Sequence, residues 1–215
     1  MATKGRLVES AKKLIAEKGY NNTKVEDITN EAQVAKGTFY TYFKTKEDIF
    51  IEILQNIFKV AQENLNEIQF ENKLKIDLYK FIKFMYEGVF NDKGHFRVIS
   101  NIFTNPELMT KVMILSPKKD LFSNAIKSIL INCKDEVRED VCEKMDYLYF
   151  AIDEFIKEYM GRIFGMEFPC FEFKEFKEIT KEELEGHIDF LTDFLYRALK
   201  KYIRHINDTN IIYSN

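Results

Sequence analysis

Residues 23–50, TKVEDITNEAQVAKGTFYTYFKTKEDIF, carry the stretch from which the rest of the chain can be read. Thr23 followed three residues later by Glu26 has the form of a capping box. It predicts a short helix that turns Val25 and Ile28 inward and runs only to about Glu31. A further short helix is expected from Ala35 to Tyr40 or Tyr42. Thr45 with Asp48 forms a second box, opening a longer helix with Phe50, Ile53, Leu54, Ile57, Phe58, Ala61 and Leu65 on one stripe. Upstream, Leu7, Val8, Ala11, Leu14 and Ile15 recur at three-to-four spacing. That first helix should end near Lys18, with Gly19 as its left-handed cap.

Short helices packed this closely, held by one helix and leading into another, have the spacing of a helix-turn-helix. In such a unit the first helix of the pair crosses a DNA backbone and the next enters the major groove N-terminus first. Ala35, Lys36, Gly37 and Thr38 are small or able to reach base edges, as that entry requires. Lys36 can donate to guanine O6 or N7, Thr38 offers a hydroxyl and a methyl, and Gly37 allows close approach of the backbone. Thr23 and Lys24 at a helix start, Tyr40, Tyr42 and Lys46 are candidate phosphate contacts, which set register without reading sequence. Phe39 and Phe43 are expected to face the core. Charge agrees: residues 1–46 hold nine Lys or Arg against five acids, a net +4, which leaves −7 on the other 169 residues. A small basic head on an acidic body suits a head that alone meets a polyanion.

Gly19-Tyr20, Thr23, Val25, Ile28, Ala32, Val34, Gly37, Phe39-Tyr40, Tyr42-Phe43 and Lys46-Glu47 together resemble the N-terminal signature of the TetR family of bacterial transcriptional regulators. The likeness covers about the first 50 residues. It implies an all-α protein with a three-helix DNA-binding head and a helical body that binds a small effector and dimerises through its last two long helices. It also implies that Thr23, Lys36, Gly37, Thr38, Tyr40, Tyr42 and Lys46 occupy positions that touch DNA. Gln33 stands where the family commonly has Gly, and a left-handed turn there costs Gln about 1 kcal/mol.

Beyond the head, residues 74–90 are apolar on nearly every side, the pattern of a helix surrounded by others. Asn91, Asp92 and Gly94 break it, and a short helix follows through Phe96, Val98, Ile99, Ile102 and Phe103. Pro106 and Pro117 bound the next segments, and residues 121–131 continue the helical rhythm. Residues 141–163 form a wide apolar face. After a Phe-rich connector around Pro169, Thr180 and Glu183 cap a last helix expected to carry its face to Tyr202, with Lys200, Lys201 and Arg204 at its C-terminal end. Parts of these two faces are expected to meet a second copy in a four-helix bundle. The expected division is a head of residues 1–46 and a body of residues 47–215.

With 20 Phe and 7 Met, the body suits a pocket for a hydrophobic or aromatic effector. Phe84, Met85, Phe103, Met113 and Tyr149 are candidate lining residues. Arg97 and Asp153 are charged residues near apolar neighbours that could orient a ligand; the leading expectation is that both are exposed on the opposite face. A ligand-responsive repressor released from double-stranded operator DNA is the leading expectation. A DNA-binding dimer whose body docks a protein and lacks a pocket is the alternative.

Composition trims the other classes. At 46% hydrophobic and 31% charged, the 215-residue chain is too apolar for disorder and too charged for a membrane protein. Its longest uncharged run, residues 98–106, is far short of the roughly 18 apolar residues a spanning helix needs. Three cysteines without CxxC spacing fit a reducing cytoplasm. No GxSxG, P-loop, GxGxxG or HExxH motif occurs, and His95, His187 and His205 lack metal-ligand spacing, so neither an enzyme, a metal nor a cofactor is expected.

Overall fold

The computed structural model describes residues 2–101, 105, 107–108, 110–111, 121–167, 172–173 and 177–201. Within them the fold is helical: α1 (Thr3–Lys18), α2 (Val25–Glu31), α3 (Lys36–Tyr42), α4 (Lys46–Asn66), α5 (Leu74–Asn91), α6 (Lys93–Ser100), α7 (Leu121–Asn132), α8 (Glu139–Glu143), α9 (Met145–Ile163) and α10 (Lys181–Leu199). The described strands are two-residue pieces, β1 (Met166–Glu167) and β2 (Glu172–Phe173), paired antiparallel between α9 and α10.

Local signals place most of these boundaries. Gly19 closes α1 at φ +84°, its N–H bonding Ile15 O at 2.9 Å, a conformation that glycine adopts without a Cβ penalty. Thr45 and Asp48 bond each other's backbone N–H groups and start α4; Thr180 and Glu183 do the same for α10. Asp92 receives His95 N–H and starts α6. Gln33 takes φ +55° in the α2–α3 turn.

Three expectations are corrected. The box at the start of α2 lies one residue on, with the Asp27 carboxylate accepting Lys24 N–H at 2.9 Å, because Thr23 donates its hydroxyl to Gly19 O at the end of α1. The helix expected over residues 141–163 divides at Lys144, whose N–H closes a tight turn onto Val141 O. The last helix stops at Leu199: Lys200 becomes extended and pairs with Val137, and Arg138 N–H bonds Leu199 O at 2.9 Å. Tyr202 and Arg204 lie outside the described residues, as do Pro106, Pro117 and Pro169.

Two apolar clusters organise the chain. The smaller joins Leu7, Ala11 and Ile15 of α1, Ile28 of α2, Phe39 of α3 and residues 49–57 of α4, and it takes in Val98 and Leu108 from further along. The larger is built around Leu78, Phe81, Ile82 and Tyr86 of α5, with α10 and α7 packed against that helix and α9 against α7. Helix α4 contributes to both, its Leu65 belonging to the larger. Burying a side chain such as Phe39 stabilises the head by about 1.5–3 kcal/mol, and it fixes which face of α3 is left outside.

Candidate nucleic-acid interface

Helix α3 is only two turns long, so its orientation depends on two anchors. Phe39 is fully buried and Phe43 nearly so, their ring centroids 5.7 Å apart. With that face committed, Ala35, Lys36, Gly37, Tyr40, Thr41 and Tyr42 are exposed and Thr38 is half-buried. Tyr40 is 52% and Tyr42 44% exposed, large aromatic surfaces left on the outer side of the helix. Lys24, just ahead of α2, is exposed as well.

The two lysines expected to meet DNA differ in setting. The Lys36 ammonium is paired with the Glu26 carboxylate of α2, both side chains about half exposed. The hydrogen bond to Glu26 holds the Lys36 ammonium above its usual range and, reciprocally, holds the Glu26 carboxyl below its own. Lys46 donates to Tyr20 O at 2.8 Å and Thr23 O at 2.9 Å and lies 4.1 Å from the Tyr20 ring centroid. Its ammonium is desolvated enough to sit below its ordinary pKa despite Glu47. Lys46 therefore ties the start of α4 to the loop between α1 and α2. Thr23 is fully buried, with its hydroxyl facing α1. The residues of the expected interface thus fall into an outer group on α3 with Lys24, and an inner pair that holds the loop behind it.

Glu26 is the member of this patch that sequence reading did not single out, having assigned it to a cap. Ten residues separate it from Lys36, and only the helix-turn-helix geometry brings the two together. Asn101 was missed for a similar reason: its side-chain oxygen accepts Tyr20 N–H at 2.7 Å across 81 residues, fastening the end of α6 to the end of α1.

The effector residues expected in the body are placed as follows. Met85 is buried and Phe84 half-buried on α5, Phe84 lying 6.5 Å from the Phe122 ring of α7. Tyr149 is half-buried on α9 with the Lys127 ammonium 5.1 Å over its ring. Phe103 and Met113 lie outside the described residues. Arg97 is exposed as expected, whereas Asp153, also read as exposed, is fully buried, because Ser123 and Lys157 supply it with hydrogen-bond donors. A surface groove of about 430 Å³ between α5 and α10 is lined by Lys75, Ile76, Tyr79, Asp189, Thr192 and Asp193, and none of the expected residues borders it. Among the described residues no group of three or more His, Cys, Asp and Glu could hold a metal ion, and no helix is long and apolar enough to cross a membrane.

Comparison with known proteins points the same way as the geometry. Residues 7–53 match the family model of bacterial regulatory proteins, tetR family. The fatty acid metabolism regulator protein of Bacillus subtilis (strain 168) is 44% identical over 62 residues, 29% of this chain and 32% of that protein. The biofilm operon negative transcriptional regulator IcaR of Staphylococcus epidermidis is 25% identical over 152 residues, 70% of this chain and 74% of its own length. The chain spans only about a third of the length of the first curated relatives it matches. In fold the likeness extends further. A bacterial protein from Saccharomonospora viridis, described as a transcriptional regulator and solved in complex with choline, superposes with a TM-score of 0.69 at 19% identity, over 93% of this chain and 98% of that one. In residues 7–53 this chain is thus similar to the bacterial regulatory proteins of the tetR family, and relatives it matches are described as HTH-type transcriptional regulators.

Proposed function

We propose that the protein is a homodimeric repressor that occupies operator DNA through α3 and is released by a small hydrophobic or aromatic effector held in its body. The observation that supports it best is the division of α3 into a buried face, Phe39 with Phe43, and an outer face of Lys36, Gly37, Tyr40, Thr41 and Tyr42 on a head of net positive charge. Lys36 leaves Glu26 to donate to a base edge, Gly37 and Thr38 permit close approach, and Lys24, Tyr40 and Tyr42 meet phosphates. Lys46 and Thr23 contribute through the loop they hold.

Two copies set the spacing. The outer faces of α9 and α10 carry Tyr147, Phe155 and Tyr159 beside Phe190 and Phe194, with the Phe155, Tyr159, Phe190 and Phe194 rings in mutual contact at 5.7–6.4 Å. Phe190 is 59% and Phe194 50% exposed, an apolar patch of the kind that marks an association surface. A twofold bundle through this face places two α3 helices in successive major grooves about 34–36 Å apart. Effector signalling runs through α6, which packs on α1 and is bonded to it by Asn101, while Val98 of α6 is buried in the head's own cluster.

Gel-shift titration on the DNA upstream of the protein's own gene tests the reading. Sequence-preferring, salt-dependent binding is expected, and its absence in dimeric protein refutes it. Lys36→Ala is expected to lower affinity by about ten- to a hundredfold and to relax preference at one base position; a uniform loss across sequences assigns the residue to phosphate. Asn101→Ala should leave operator affinity nearly intact and weaken release by effector, read in the same assay.

A further inference from the structure

Asp153 of α9 is fully buried, and its carboxylate is half satisfied. Oδ2 accepts the Ser123 hydroxyl of α7 at 2.5 Å and the Lys157 ammonium, one turn further along α9, at 2.6 Å. Oδ1 has no hydrogen-bond partner. An ionised carboxylate has about four acceptor positions, and an interior one with an idle oxygen is costly to keep. Holding Lys157 does not explain it, since Glu154 on the solvent side already receives that ammonium at 3.0 Å. Nor does packing, since Ile152, Ile156 and Met160 are the buried neighbours on the same helix and an aliphatic residue would continue them.

The surroundings suggest an occupant. Tyr149 precedes Asp153 by four residues of α9, about 6 Å along the axis, and Lys127 follows Ser123 by four residues of α7 and lies over the Tyr149 ring. Phe122, next to Ser123, packs towards Phe81 and Phe84 of α5. Lys157 already pairs with both Asp153 and Glu154, so what Oδ1 lacks is a hydrogen-bond donor.

We propose that Asp153 is the polar anchor of the effector site, its idle Oδ1 accepting an O–H or N–H from the polar end of a ligand whose apolar or aromatic part lies along Tyr149 in the α7–α9 seam. This rests on the reading that the body holds a small effector, and it adds the ligand's polarity: a donor at one end.

Phenylalkyl probes matched except at the end group test it, at two chain lengths: alcohols, amines, and nitriles, which only accept. Binding is followed by thermal shift and calorimetry on the full chain and on Asp153→Asn. In that variant the two donors that now meet Oδ2 require the amide oxygen in its place, which turns the amide N–H₂ into the idle position. The unaltered protein is expected to bind alcohols or amines about tenfold or more tightly than nitriles, and Asp153→Asn, whose idle position now donates, to bring nitriles level with alcohols, which also accept, and above protonated amines, which cannot. Amines above alcohols identifies a protonated ligand; parity identifies a neutral one. Should the variant fail to fold, the ranking on the unaltered protein still decides. Equal affinity for all three end groups overturns the anchor and leaves the effector reading standing. No stabilisation by any probe at either length overturns both.

Discussion

A Cβ at position 37 would meet nothing within 4 Å beyond its chain neighbours and the backbone of its own helix, so packing among the described residues does not require glycine there. Glycine is a poor helix residue, and Gly37 lies in the first turn of α3 on its outer side, where the proposed DNA contact demands close approach. Gly37→Ala is therefore expected to fold normally, gain up to about 1 kcal/mol in denaturant unfolding, and lose about tenfold or more in operator affinity. A variant that keeps full affinity would place the groove contact elsewhere on the helix. The reverse case is Lys46, which has the sequence pattern of a surface cation but spends its hydrogen bonds on the carbonyls of Tyr20 and Thr23. The residue type announced a charge, and only the packed loop determined what the charge would hold.

Between elements, α5 and α10 are joined by Lys83 and Glu185, with the Tyr79 hydroxyl on the same carboxylate. The hydrogen bond from Lys83 holds the Glu185 carboxyl below its ordinary 4.5, and the bond to Glu185 raises the Lys83 ammonium above its ordinary 10.5. For the carboxylate, the contribution to stability is complete above pH 4.5 and is lost as pH falls through the lower folded value; for the ammonium, it is complete below pH 10.5 and is lost as pH rises through the higher folded value. A double-mutant cycle with Lys83→Ala and Glu185→Ala should return a pH-independent coupling from about pH 5 to about pH 10, with decay on both sides. Because both side chains are partly exposed, the coupling should be small and should shrink in high salt. Coupling that grows on acidification would contradict the pair. The capping boxes of α4 and α10 belong to this scale too. They were readable as three-residue spacings, whereas the box of α2 was read one residue early because Thr23 had a competing acceptor in Gly19, a partner that the spacing rule does not consider.

For the whole molecule, the exposed rings on α9 and α10 carry the expected association. Phe194→Glu, at a site that is half exposed in the single chain, should leave the fold intact and yield a monomer in analytical ultracentrifugation. Operator affinity should then fall steeply, since each head alone grips only one half-site. A Phe194→Glu protein that remains dimeric would move the interface to another face. The head and body are coupled in the same architecture: Val98 and Leu108 insert into the head's apolar cluster from beyond residue 90, and Asn101 bonds to Tyr20. A displacement of α6 therefore carries the end of α1 with it.

What the sequence by itself determined is what depends on near neighbours: helical phase over α1, α4, α5 and α10, the stops at Gly19 and Asp92, the capping boxes at Thr45 and Thr180, and the inward pair Phe39 and Phe43. These follow from backbone hydrogen bonding and apolar repeat within a turn or two, which any reading of spacing can register. Only the tertiary structure decided the partners that meet across the fold. Glu26 on Lys36, Lys46 on two carbonyls, Asn101 on Tyr20, the strand-like pairing of Lys200 with Val137 and the burial of Asp153 all join segments that are distant along the chain or depend on what another helix brings. Their energies come from desolvation and from donors supplied by a facing element, and neither quantity exists until the faces have met.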